Sequence, residues 1–187
     1  TQFATAETER VWFATFSSLR FRAEFERAAS ALRSLLGLEP KRYTALHLRV
    51  DRDCLIPWAQ RTKQTVQQVA DQAAKALMSI GTDKTPRNDK VLLLTSLPPD
   101  DPFMALARKR FPNAVMKDPN WRQLVNSTIP RGRELDAAID LLLCLDAKHF
   151  YGAMREGPDA IGSTFSLFAA RLVRARGGSA SAWVEGA

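Results

Sequence analysis

The 187-residue chain is poor in the residues that would settle its chemistry quickly. It has two cysteines, Cys54 and Cys144, too few and too far apart for a zinc site of the usual spacing or for a disulfide-built scaffold. Cys144 reads as a buried helix residue; a disulfide between the two would be possible but nothing in the pattern calls for it, so the redox compartment stays open. No apolar run reaches the roughly 18 residues a membrane-spanning helix needs. Internal repeats are absent, and the first residue is Thr1 with no signal peptide behind it, so the chain is expected to be processed or cut from a longer one.

What is present is positive charge and a buried-core composition. The formal net charge is +7, and 45% of residues are hydrophobic, enough for one well-buried α/β domain. Such a balance favours an anionic partner. The aromatics Trp12, Phe13, Phe16, Phe21 and Phe25 lie at helical spacing suited to a core, not on a strand platform for stacking bases, so a nucleic-acid reading has only the charge behind it.

Along the chain, the spacing of Val11, Ala14, Ser18, Phe21, Phe25, Ala28, Leu32 and Leu35 predicts one long helix or two over residues 5–36, closed by Gly37. Its aromatic excess implies either that its own fold grips it on two sides or that part of its surface was made for another domain or subunit. Tyr43 to Val50 predicts a strand with Tyr43, Ala45, His47 and Arg49 on one face and Thr44, Leu46, Leu48 and Val50 on the other. A loop is expected at Ile56-Pro57-Trp58, then a helix over Thr65 to Ile80 with Val66, Val69, Ala73, Leu77 and Ile80 on its inner face. Val91 to Leu94 is a continuous apolar strand of the parallel-sheet kind. A short helix through Met104, a brief strand at 114–116, an irregular connection anchored by Trp121, a helix over Glu134 to Ala147, a strand at His149 to Tyr151 and a helix opening at Ser163 complete the series. Alternation of this kind implies a Rossmann-like open parallel sheet with helices on both faces, preceded by a long N-terminal helix. The expected division is an N-terminal helical segment (1–40), a nucleotide-binding domain (41–176) and a flexible tail (177–187).

Two stretches carry candidate chemistry. His47 and Arg49 point the same way at the C-terminal end of a strand, where open α/β sheets bind ligands. Ser163-Thr164-Phe165-Ser166 opens a helix, and a helix N-terminus presents free amides and the positive end of a dipole to an anion. Together they suggest a polyphosphate held between a guanidinium and a helix end. His149 is a formal candidate base, but its place at a strand start favours a structural role.

The strand Tyr43 to Arg49, with its His-Leu-Arg, the run Leu135 to Gly152 with its Asp-rich helix and His149-Phe150 pair, and Ser163-Thr164-Phe165-Ser166 resemble, in order and spacing, GDP-fucose protein O-fucosyltransferases over roughly residues 15–176. The resemblance implies the nucleotide-binding half of a GT-B glycosyltransferase, inverting and metal-independent, with no cofactor and GDP-fucose as donor. By that likeness His47 and Asp140 would help hold the nucleotide, Arg49 would contact the diphosphate and assist its departure as the catalytic residue, and Ser163, Thr164 and Phe165 would bind phosphate and guanosine. The chain departs from the pattern in lacking the other GT-B half and in carrying Ser96 where an acidic residue is common. Two readings follow. One is a GDP-sugar-binding domain that needs a partner domain for turnover, placed in the secretory pathway. The other is a non-catalytic accessory subunit of a larger assembly, in an organelle complex, docked through the 10–36 helix.

Overall fold

A computed structural model describes residues 14, 15, 18, 20–80, 89–153 and 163–182. Its centre is a five-stranded, all-parallel sheet: β1 (Tyr43–His47), β2 (Lys90–Leu94), β3 (Ala114–Met116), β4 (His149–Gly152) and β5 (Ser179–Ala182), in spatial order β3-β2-β1-β4-β5. The expected Rossmann-like sheet with helices on both faces is therefore present. Side chains alternate as extended backbone requires. Tyr43, Ala45, Leu92, Leu94 and Phe150 enter one core, and Leu46, Leu48, Val91, Leu93 and Tyr151 enter the other.

The first core is covered by α1 (Ala23–Leu35), α6 (Arg133–Leu145) and α7 (Thr164–Ala175), with Trp121 of the one-turn α5 (Trp121–Leu124) buried among them. The second is covered by α2 (Arg52–Thr62), α3 (Val66–Ser79) and α4 (Pro102–Arg110). Local signals explain several boundaries. Thr65 and Gln68 form a reciprocal capping box at the start of α3, with Thr65 N to Gln68 Oε1 at 2.8 Å. Gly37, at φ +61°, ends α1 in a Schellman motif, its amide bonding the Ser34 carbonyl while the Leu38 amide bonds that of Arg33.

Of the one long helix or two expected over residues 5–36, the described part shows a break: Arg20–Arg22 are non-helical, Arg22 is extended as the N-cap of α1, and Ala14, Thr15 and Ser18 are the residues described ahead of them. Ala28, Ala29 and Leu32 of α1 belong to the same core as the sheet. Three expectations are corrected. Ile56-Pro57-Trp58 lies inside α2 and not in a loop. Pro57 forfeits a bond to the Asp53 carbonyl, at a typical cost of about 3 kcal/mol, which burial of Leu55, Trp58 and Ala59 against the sheet offsets. Residues 179–182, expected within a flexible tail, form β5 along β4, a strand of Ser and Ala whose pairing comes from the backbone and carries no hydrophobic signature. Val66 also departs from the expected inner face of α3, standing 42% exposed.

The cysteines lie on opposite sides of the sheet, Cys144 buried in the first core and Cys54 packed against the second; both thiols are free. Among the described residues, no helix is long and apolar enough to cross a membrane. A polar turn expected over residues 81–89 and a loop expected over 152–162 fall mostly, at 81–88 and 154–162, outside the described residues.

Candidate functional site

From β1 the chain moves outward to β2 and β3 on one side, and to β4 and β5 on the other. The strand order therefore reverses between β1 and β4, and a doubly wound sheet leaves a crevice at the carboxyl ends of such a pair. A cleft of about 580 Å³ opens there, lined by His47, Arg49, Leu94, Asp140, Ser163 and Phe165. Asp53, Cys54, Pro57, Trp58 and Arg61 of α2, Thr95 and Ser96 after β2, and Arg133, Asp136 and Ala137 of α6 complete its wall.

The close approach of α7 depends on Gly152, which is paired with His47 at the ends of β4 and β1. A Cβ at Gly152 would sit 2.8 Å from the Phe150 ring and 2.9 Å from Ser166 Cβ, so only glycine lets the first turn of α7 rest on the sheet. Ser163 caps that turn, its Oγ accepting from the Ser166 amide at 3.5 Å. Ser166 is fully buried, and its Oγ shares a 2.6 Å hydrogen bond with His47 Nδ1. The Phe165 ring lies 4.7 Å from the imidazole. Burial, reinforced by the Arg49 charge, pushes the His47 pKa down to about 3, so the ring is neutral near pH 7. His47 thus docks α7 onto β1 while presenting an edge to the cleft. Ser166, its partner in this, was legible only as part of the hydroxylated run.

Arg49 is aimed by its own turn. Its Nε donates to Asp51 Oδ2 at 3.1 Å, and the Ser96 hydroxyl reaches the same oxygen at 3.5 Å, tying the ends of β1 and β2 together. Cys54 stands beside this pair; burial first, then the Asp51 charge, raises its thiol pKa and disfavours a thiolate.

Asp140 lines the cleft but faces a cation of the protein itself, with Lys117 Nζ 2.5 Å from its Oδ1. Burial raises its pKa, with Lys117 opposing. Asp136 accepts from Trp121 Nε1 at 2.8 Å and pairs with Arg122 at 3.2 Å and Lys117 at 3.7 Å. Burial works against that carboxylate, but the Trp121 and Arg122 hydrogen bonds and the adjacent cations outweigh it and hold its pKa below the ordinary value.

The structure therefore brings His47, Arg49, Asp140, Ser163 and Phe165 to one cleft, and puts Thr164 at the first position of α7. Sequence reasoning missed Arg61, Arg133 and Asp136 as cleft residues: Arg61 and Arg133 are exposed helix residues in no motif, and Asp136, half-buried, lies in the run Leu135 to Gly152 without being singled out there; that they line one cleft is visible only once α2 and α6 are placed beside it. Fold and site together define a doubly wound α/β protein with a cation-bearing cleft at its switch point. No protein-family model matches the chain, nor does any curated protein.

Proposed function

We propose that the cleft binds a nucleoside diphosphate sugar, with GDP-fucose the donor that the resemblance implies. On this reading the chain is the nucleotide-binding half of an inverting, metal-independent GT-B fucosyltransferase and turns over only with a second domain to complete the cleft. One observation carries the reading: the Arg49 guanidinium and the capped N-terminus of α7, more than 100 residues apart in sequence, line the same cleft. A fixed cation and preorganised amides stabilise the charge that develops on a departing diphosphate, which is the work Arg49 would do in catalysis. His47, Ser163, Thr164 and Phe165 would bind the rest of the nucleotide, and Asp140 would contribute through its pair with Lys117 or by exchanging that partner for the ligand. The cleft volume falls in the usual range for small-molecule sites, about 300–1,000 Å³.

The test is a thermal-shift titration of the chain with GDP. Binding to the folded state alone adds about 2.7 kcal/mol at a hundredfold excess over Kd, so Tm should rise with GDP and the Arg49→Ala variant should lose the rise. A wild-type Tm that stays flat to millimolar GDP would overturn the reading.

The accessory-subunit reading is favoured by a different observation. Leu35 of α1 and Leu124 of α5 are each 53% exposed on neighbouring helices. If a larger assembly docks along residues 10–36, Leu35→Glu should release the chain from the partners it brings through purification from its native source.

A further inference from the structure

We infer that Asn126 is an N-glycosylation site, its side-chain amide taking an oligosaccharide from a lipid-linked donor. Asn126-Ser127-Thr128 has the form asparagine, any residue but proline, then threonine or serine, which is the acceptor pattern of that reaction. Triplets of this form are common by chance; what singles this one out is how the fold presents it. It follows α5 and lies between two buried anchors, Trp121 and Ile129. Arg122 pins the turn from both ends: its carbonyl accepts from the Ser127 amide at 2.8 Å, and its Nε donates to the Ile129 carbonyl at 3.1 Å. Ser127 is half-buried, and its Oγ accepts from the Ile129 amide at 3.2 Å. Asn126 and Thr128 on either side of it are exposed, and among the described residues neither side chain has a hydrogen-bond partner.

The backbone accounts for an asparagine here but not for the threonine. Asn126 lies at φ +50°, a left-handed conformation that asparagine tolerates better than most residues. Thr128 has no comparable local duty, whereas the hydroxyl of Ser127 beside it is in use. The two side chains that the acceptor pattern requires are thus the two that the fold leaves on the outside. In the transfer, Asn126 Nδ2 bonds to the anomeric carbon of a polyprenyl-diphosphate oligosaccharide. The bond from that carbon to the diphosphate oxygen breaks, the diphosphate leaves with the electron pair, and the amide gives up one proton. Such a donor belongs to the secretory pathway, so the inference puts the chain in the compartment of the GDP-sugar reading without depending on nucleotide binding. Neither residue lines the cleft. A bulky, hydrated glycan at Asn126 would crowd the exposed Leu124 close by, against the use of that face by a protein partner.

Digestion of the protein from its native source with peptide N-glycosidase tests the site. The digested chain should run faster on a gel by the mass of an N-glycan, and peptide mapping should find Asn126 converted to aspartate, marked with heavy oxygen when the digestion is run in labelled water. N126Q and T128A, expressed in the same source, should each lose the shift, while T128S, which keeps the acceptor pattern, should retain it at least in part. T128A leaves Asn126 in its left-handed turn, so a fold weakened by N126Q does not blur the result. Native protein without sugar at Asn126 overturns the inference, and the nucleotide reading then stands or falls on its own GDP titration. A glycan at Asn126 on a chain whose Tm ignores GDP leaves the inference standing and overturns the nucleotide reading.

Discussion

His47 illustrates how a polar residue on a core strand is made tolerable. Its Nδ1 bonds Ser166 Oγ, its ring meets Phe165, and its pKa falls from 6.5 to about 3 because charging it would strip a cation of water beside Arg49. The unfolded chain takes up this proton near pH 6.5 while the folded chain resists it until about pH 3. Stability that His47 contributes is thus complete above pH 6.5 and is lost as pH falls from there toward 3. His47→Gln, which does not titrate, should be less stable than wild type at pH 7, and the gap between their melting temperatures should shrink on acidification. A gap that stays constant down to pH 5 would sink the neutral-imidazole account. The same residue shows what sequence could and could not reveal: the alternation of β1 placed His47 and Arg49 on one face, but nothing local named Ser166 or Asp51 as their partners.

At the scale of elements, the wall of the cleft opposite α2 is held by the connection from β3 to α6. Trp121 is 1% exposed, donates to Asp136, and carries the Arg122 guanidinium 4.6 Å from its ring centre. Truncating a buried tryptophan removes apolar contact and leaves a cavity, so Trp121→Ala should lower unfolding stability by about 3–5 kcal/mol, read from the denaturant midpoint. Asp136 would lose its neutral donor at the same time, so nucleotide affinity should drop even under conditions where the variant is folded. Gly152 performs the corresponding job for α7. With a Cβ there 2.8 Å from Phe150 and 2.9 Å from Ser166, Gly152→Ala should cost about 1–3 kcal/mol and weaken the GDP-induced rise in Tm by moving Ser163 and Phe165. Preserved stability together with an unchanged GDP response would show that α7 does not need its close seat. Trp121 was readable as an anchor because a lone tryptophan in a polar connection has few other uses. The α2 helix was not, because Pro57 is a strong local breaker and only the burial of Leu55, Trp58 and Ala59 overrides it.

At the scale of the whole molecule, the sheet is completed by a strand that composition conceals. β5 pairs with β4 through residues 179–182 and lies next to α7, so it closes the edge beside the helix that forms one side of the site. Ending the chain after Gly178 should lower Tm by several degrees and expose the β4 edge, measurable as faster amide exchange at Phe150 and Tyr151. An unaltered Tm would mean that residues 179–187 behave as the tail their composition suggests.

Sequence by itself determined the class of fold and the strand end that lines the cleft, because side-chain period and apolar runs are local properties that burial must respect: β1, β2 and β4, the helices α3, α4 and α6 and the Ser163 cap all followed from it. Tertiary structure alone decided which charges meet. Arg61, Arg133 and Asp136 share the Arg49 cleft, Lys117 claims Asp140, and Ser166 claims His47. Those pairings join residues 23 and 119 positions apart, or more loosely through a shared cavity, where the spacing along the chain holds no record of which side chains the crossovers bring face to face.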